Sequence, residues 1–283
     1  MSQININGSI GYSFLSDKKY NILILADIHS ELPYCKTDGI FISDWLDKKK
    51  TSKLLLEEVP RINIKLQELW PTSEHTQKLK EIYIKKNDII HGIDIRPFLL
   101  PMSWEIIESN ETMILKDYIR LINDFLILKL EFPTIILKTI YTSQFLSNSM
   151  LGIHFIDLKN KMISFVNLNE NLLNVKIIDI KNDNDNILEE INTIISDIME
   201  WFIIAKIYQS IMENMQNIII HAGLFHTTNI IDLLQKYYKY SIIQEGGITN
   251  MSQIDKPFNG CLHLPTNINE QFGGNKHYGF YNN

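Results

Sequence analysis

Four places along the chain set residues able to do acid/base or metal chemistry directly after a short apolar run. Asp27 and His29 follow NILILA, Glu57 and Glu58 follow KLLL, Asp94 and Arg96 close DIIHGI, and His221 lies in NIIIHA with His226 five residues on. Carboxylates and imidazoles that converge can bind a divalent cation or move protons to and from water, and a guanidinium beside them can steady an oxyanion. Each group also has a plainer reading. Asp27 and Ser30 could cap a turn, and Asp94 and Arg96 share strand parity and could form a structural ion pair. Strand alternation sends only one of Glu57 and Glu58 toward a given site, and Glu58 is the preferred one. Gly223 suits a tight turn from strand to helix, which would put His226 at a helix N-terminus, where free N–H groups favour an anion. His75, His154, His263 and His277 have no comparable neighbours and read as structural or surface residues. His91 shares a face with neither Asp94 nor Arg96.

The elements that would position these groups follow from apolar spacing. Asn21 to Asp27, Lys53 to Val59 and Asp88 to Ile95 read as strands buried on both faces, with helical spacing over 38–50 and 61–86 between them and a break at Pro71. Strand and helix alternate in this way when a parallel sheet is covered by helices, and ligands then bind outside the carboxyl ends of the strands. The rhythm returns late, with a strand over 217–222, a helix over 227–238 and a strand over 240–244. The expected fold is therefore α/β, one domain over 1–283, with a mostly parallel central sheet built from the N- and C-terminal segments and covered by helices. A largely helical insertion would occupy 97–215 and an irregular tail 265–283. Within the insertion, 111–131 and 134–147 have helical spacing, 151–180 fits hairpin or helix, and KNDNDN over 181–186 separates that stretch from the next helix. This long helix, over 187–215, carries Ile191, Ile194, Ile195, Ile198, Phe202, Ile203 and Ile207 as its apolar stripe.

Composition bounds the function. With 283 residues and 45% hydrophobic residues the chain can bury a large core, which excludes wholesale disorder. A formal charge of -6 argues against electrostatic capture of nucleic acid or anionic lipid. Cys35 and Cys261 are too few for a disulfide scaffold or a cysteine zinc site and suit a reducing compartment, with one disulfide left open. The first residues lack the pattern of a signal peptide, and the most apolar stretch, 191–212, carries Asp197, Glu200 and Lys206, so no membrane span is expected. A soluble intracellular protein is the reading. The 50 Ile and 27 Asn against three Ala and three Arg suggest an AT-rich genome. Two of the scarce Ala, Ala26 and Ala222, and the scarce Arg96 sit in the candidate motifs.

The order of these motifs resembles the superfamily that groups erythromycin esterase-like proteins, ChaN-like haem-binding lipoproteins and TraB/TIKI proteases. The elements that carry it are ILADIHSE, LLLEEVPR, GIDIRP and IIIHAGLFHTTN, the last with Gly223 and His226 in matching positions. The early element departs from the family pattern, with Asp27 for the usual Glu, Ala26 for the preceding Gly, and His29 after one residue rather than two. The Ile- and Asn-rich composition also looks like that of proteins from large nucleocytoplasmic DNA viruses, which would place the chain in host cytoplasm or packaged in the virion with virion partners.

The resemblance implies a hydrolase of an ester or amide bond in a small molecule or peptide. His29 and His226 would act on water or bind a divalent ion (Mn, Zn or Co), with Glu58 as partner carboxylate; haem is the less favoured cofactor. Asp27 would orient His29, Arg96 would stabilise the oxyanion, and Asp94 and His221 complete the candidate set. A catalytically degenerate member acting as a binding protein, or a helical scaffold with an exposed apolar patch, are the competing expectations.

Overall fold

The structure is a computed structural model and describes residues 2–28, 30–60, 74–85, 90–102, 104–127, 149–183, 185–255 and 257–273. In chain order the strands are β1 (Gln3–Asn7), β2 (Gly11–Ser16), β3 (Asn21–Asp27), β4 (Gly39–Phe41), β5 (Lys53–Leu56), β6 (Ile90–Gly92), β7 (Asn217–Gly223), β8 (Ser241–Gly247) and β9 (Cys261–Pro265). The α-helices are α1 (Ile42–Asp47), α2 (Glu74–Lys85), α3 (Arg96–Leu99), α4 (Trp104–Ser109), α5 (Leu115–Tyr118), α6 (Arg120–Leu126), α7 (Ser149–Leu168), α8 (Ile177–Asp183), α9 (Asn186–Met212), α10 (Leu224–Tyr238) and α11 (Thr266–Gln271). The fold is α/β, as the alternating pattern predicts.

Two units divide the chain. The first comprises the described residues of Met1–Glu58, Trp70–Gly92 and Lys206–Asn283, and the second those of Val59–Leu69 and Ile93–Ala205. All nine strands belong to the first unit. Its main sheet has the order β6-β5-β7-β3-β2-β8, and a three-stranded sheet has the order β4-β1-β9. In the main sheet β6, β5, β7 and β3 run parallel, while β2 and β8 add antiparallel strands at one side. The parallel strands are the ones with unbroken apolar sequence, because both their faces are covered: β5 is buried throughout, and β3 from Ile22 to Asp27. The edge strand β8 instead alternates exposed and half-buried residues.

Register is pinned at the start of the parallel pair. Asn21 Nδ2 donates to Asn217 Oδ1 at 3.0 Å, and these two residues are the first of seven pairs in step, ending with Ala26 beside Ala222 and Asp27 beside Gly223. A slip of one residue would turn every side chain to the opposite face, so this pairing decides what reaches the carboxyl end.

Several sequence expectations change here. The third strand runs only from Ile90 to Gly92, leaving Asp94 beyond its end and Arg96 at the start of α3. The ambiguous stretch 151–180 is helical, lying in α7 and α8 apart from a 3-10 turn and one isolated bridge from Ile114 to Lys176. The 181–186 run does separate the two helices, although its first three residues still belong to α8, which ends at Asp183, and α9 begins at Asn186. The segment after Pro265 is ordered through Gly273 by α11, whose Asn269 accepts from Trp45 Nε1 at 2.9 Å and from Lys49 Nζ at 2.7 Å. Residues 134–147 of the expected insertion, His277 and the rest of the tail lie outside the described residues.

The second unit is helical in its described residues. All seven stripe residues of α9 are buried, and that helix passes from the second unit into the first at Lys206. Trp201 anchors the packing: its ring lies 4.9 Å from that of Phe155 and 6.4 Å from that of Phe125, and its Nε1 donates to Leu151 O at 3.0 Å. No helix among the described residues is long and apolar enough to cross a membrane.

Candidate active site

The carboxyl ends of β3, β5 and β7 gather ionisable side chains that are almost wholly shielded from water. Exposure is 1% at Asp27, 1% at His75, 3% at His221 and 5% at His226, and the Glu57 side chain is as deeply buried. Burying ionisable groups is costly unless they are paired and hydrogen-bonded, so their pairing is the first question.

Asp27 ends β3. Both of its carboxylate oxygens lie 3.0 Å from His75 Nε2, which comes from the first turn of α2. His221, on the neighbouring strand, brings its Nε2 to 4.0 Å from Asp27 Oδ2. Parallel register accounts for this approach: His221 sits beside Leu25, two residues before Asp27 and therefore on the same face. Asp27 can thus fix the tautomer and orientation of His75 while presenting its charge to His221.

Glu57 forms a second carboxylate–imidazole pair. Its N–H donates to His221 O at 3.0 Å, one step beyond the β5 strand, and then the chain turns, with Glu58 N–H donating to Leu56 O at 2.7 Å. That turn ends the alternation that would send only one of the two glutamates toward the site. Glu57 is the residue that reaches across: its Oε2 accepts from Gly223 N–H at 2.5 Å and its Oε1 lies 3.9 Å from His226 Nε2. Glu58 is half-buried at the turn. Gly223 joins the two pairs, as register partner of Asp27 and hydrogen-bond donor to Glu57. Its backbone is extended, with φ −57° and ψ 148°, and β7 runs directly into α10, so no left-handed turn is required there. The carboxylate at the amino end of α10 is favourable, because the helix dipole and free N–H groups attract negative charge.

His226 Nε2 with Glu57 and His221 Nε2 with Asp27 stand at 3.9 and 4.0 Å, ion-pair rather than hydrogen-bond separations. Phe225 stands edge-on to His226 at 5.4 Å and is 48% exposed, marking the side of the pair that faces solvent.

The remaining sequence candidates are Asp94, Arg96 and His29. Asp94 and Arg96 belong to the second unit and pair with each other, Arg96 Nε to Oδ1 at 2.8 Å and Nη2 to Oδ2 at 2.9 Å, with a third bond from Arg96 N–H to Oδ1 at 3.1 Å. This two-pronged pairing is the structural ion pair that their parity allowed. His29 lies outside the described residues. His75, expected to be structural or surface, is buried against Asp27. Its sequence signal is indirect. Gly8 has φ +96°, and a Cβ there would lie 2.6 Å from His75 Cβ. A glycine is thus required where the imidazole passes.

Among the described residues no group of three or more His, Cys, Asp or Glu side chains is arranged to hold a metal ion. The set His29, Glu58 and His226 does not assemble from described residues, since His29 is not among them and Glu57 takes the place beside His226. No chemical step is therefore derived through a metal.

Fold and site together define an α/β protein with paired carboxylates and imidazoles buried at the carboxyl ends of its parallel strands. In comparisons with known proteins, no protein-family model, no curated protein and no solved structure matches the chain.

Proposed function

We propose that the chain is a hydrolase of ester or amide bonds, related to the erythromycin esterase, ChaN and TIKI-like superfamily, working by acid/base chemistry on water. The observation that carries the reading is the pair of buried carboxylate–imidazole couples, Asp27 with His75 and Glu57 with His226, at the ends of adjoining parallel strands. Clusters of this kind, buried at the carboxyl end of a sheet, are where catalytic acids and bases are found.

His226, steadied by the Glu57 charge, takes a proton from water as the water oxygen bonds to the carbonyl carbon. The same imidazolium returns that proton to the leaving oxygen or nitrogen as its bond to carbon breaks. Asp27 holds His75 in one orientation, and His75 or His221 donates to the oxygen that gains charge. Asp94 and Arg96 take no part in this scheme.

The test is initial-rate hydrolysis of p-nitrophenyl esters and fluorogenic peptide amides by the purified chain. Glu57→Gln and Asp27→Asn are each expected to lower turnover by about 100-fold or more while leaving the melting temperature within a few degrees. Turnover unchanged in both variants would refute the assignment. The near-complete burial of all four residues also favours a second reading, a degenerate member whose cleft is filled and which acts as a binding protein. Absence of turnover on every ester and amide probe, in a folded wild-type chain, selects it.

A further inference from the structure

Cys35 and Cys261 are joined, with Cα atoms 4.7 Å apart and a sequence separation of 226. Cys35 lies in the segment between β3 and β4, and Cys261 is the first residue of β9. That segment reaches the first turn of α2, which carries His75. The Glu31 carboxylate accepts from Glu74 N–H at 3.1 Å, and the Tyr34 ring stands edge-on to His75 at 6.4 Å and to Phe41 at 5.3 Å. The Tyr34 hydroxyl is buried near the His75 backbone N–H, but among the described residues no hydrogen bond of good geometry reaches it. Ring contact, rather than a firm polar bond, sets where Tyr34 meets His75.

The anchorage of Tyr34 comes from its neighbours. Gly260 N–H donates to Pro33 O at 3.0 Å, Cys35 N–H donates to Asn7 Oδ1 at 2.9 Å, and Gly8 N–H donates to Gly260 O at 2.9 Å. Of the three segments that meet at the disulfide, those around Gly8 and Tyr34 border His75, and the one around Gly260 is hydrogen-bonded to both. Both cysteines are half-buried rather than sealed in, within reach of a dithiol. The β1–β9 ladder, five residue pairs from Gln3–Pro265 to Asn7–Cys261, does not depend on the bridge.

We propose that the Cys35–Cys261 disulfide is a redox clasp that presses Tyr34 against His75 and so sets the position of the imidazole beside Asp27. The reductant is a dithiol. One of its thiolates attacks a bridge sulfur, the S–S bond breaks to a mixed disulfide, and its second thiolate displaces the remaining cysteine. Two electrons and two protons pass to Cys35 and Cys261, and the dithiol leaves as a disulfide. The segment is then held only by its backbone bonds, and Tyr34, a positioning residue, withdraws. Control of catalysis through this movement rests on the proposed hydrolase site; the movement itself does not.

The experiment compares the full chain oxidised, reduced with dithiothreitol, and reoxidised, following the His75 imidazole by side-chain NMR at fixed pH and the backbone by amide exchange. Reduction is expected to move the His75 imidazole ring-proton and carbon chemical shifts as the Tyr34 ring leaves its edge-on position. It is expected to speed exchange over 30–38 at least ~10-fold while β3 and β7 stay protected, all reversing on reoxidation. Tyr34→Ala with the bridge intact should reproduce the His75 shift, and Tyr34→Phe should not. Unchanged His75 imidazole chemical shifts in both the reduced protein and Tyr34→Ala overturn the clasp, as does loss of protection throughout β3 and β7, which marks a global staple. A chain that hydrolyses nothing in either redox state refutes the hydrolase reading and leaves the His75 readout to decide the clasp.

Discussion

Replacing Gly8 by alanine should damage the site from a distance, and the size of the effect can be worked from two independent costs. The backbone at Gly8 has φ +96°, where an L side chain costs roughly 1–2 kcal/mol. The new Cβ would also lie 2.6, 2.8 and 3.0 Å from His75 Cβ, Cγ and Cδ2, against ordinary carbon contacts of about 3.5–4.0 Å. The imidazole must retreat by about 1 Å, which stretches its 3.0 Å contacts with Asp27 beyond hydrogen-bonding range. Loss of a bond to a charged group adds about 1.5–3 kcal/mol. The sum, about 3–5 kcal/mol, is a large share of the stability of an ordinary domain. Urea unfolding at constant m measures it. A double-mutant cycle with His75→Gly isolates the contact, because removing the imidazole should return the steric part and leave the backbone part. A cost below about 1 kcal/mol, or an additive cycle, would refute the claim that Gly8 makes room for His75.

Three further outcomes bear on the ion pair, the metal and the buried lysines. Arg96→Lys loses the two-pronged match to buried Asp94 and should lower stability by about 1–3 kcal/mol without changing ester or amide turnover; a selective fall in turnover would restore Arg96 to the reaction. Treatment with EDTA should leave turnover in place, whereas activity lost to the chelator and recovered with Mn2+, Zn2+ or Co2+ would replace the metal-free scheme. Lys49, buried over the Trp45 ring, is lowered from 10.5 to about 8 by burial and then by Lys48. Between those values the unfolded chain binds the additional proton, so stability should rise as pH climbs above about 8, with up to ~3 kcal/mol from this residue across the full window. Urea midpoints at successive pH values check the sign. Lys49→Met should remove its part of the rise and leave that of Lys206, also lowered to about 8, chiefly by burial.

What could be read from the sequence depended on whether a residue's partner was local. The strands β3, β5 and β7 were legible because burial on both faces leaves an unbroken apolar run, and the α9 stripe because its period is its own. The strands β1 and β9 were not. QININ mixes apolar and polar residues, and its register with β9 is set by residues at the far end of the chain, Gln3 opposite Pro265. Asp27, His221 and His226 were legible as polar groups ending apolar runs. His75 was hidden because its partner lies 48 positions earlier and the glycine that admits it earlier still. The choice between Glu57 and Glu58 turned on one hydrogen bond, Glu58 N–H to Leu56 O, which cancels alternation at that point. The disulfide was undecidable from a count of two.

The two ends of the same strands argue for a site rather than for a generally polar sheet. At the amino ends Asn21 bonds to Asn217, Asn217 Nδ2 donates to Gln271 O at 3.0 Å, and Lys53 pairs with the solvent-reaching Glu213 at 2.9 Å. Those groups are neutral, or paired with a partner that water can still screen. At the carboxyl ends five ionisable side chains are buried. If polar termination alone were needed, the amides used at the amino ends would suffice at both, without the desolvation that carboxylates and imidazoles incur. Replacing the carboxyl-end groups by amides should then be structurally tolerable. Asp27→Asn and Glu57→Gln keep shape and hydrogen-bonding atoms while removing charge, so a folded chain without turnover is the outcome that separates chemistry from architecture. Loss of folding in both would return the cluster to a structural role.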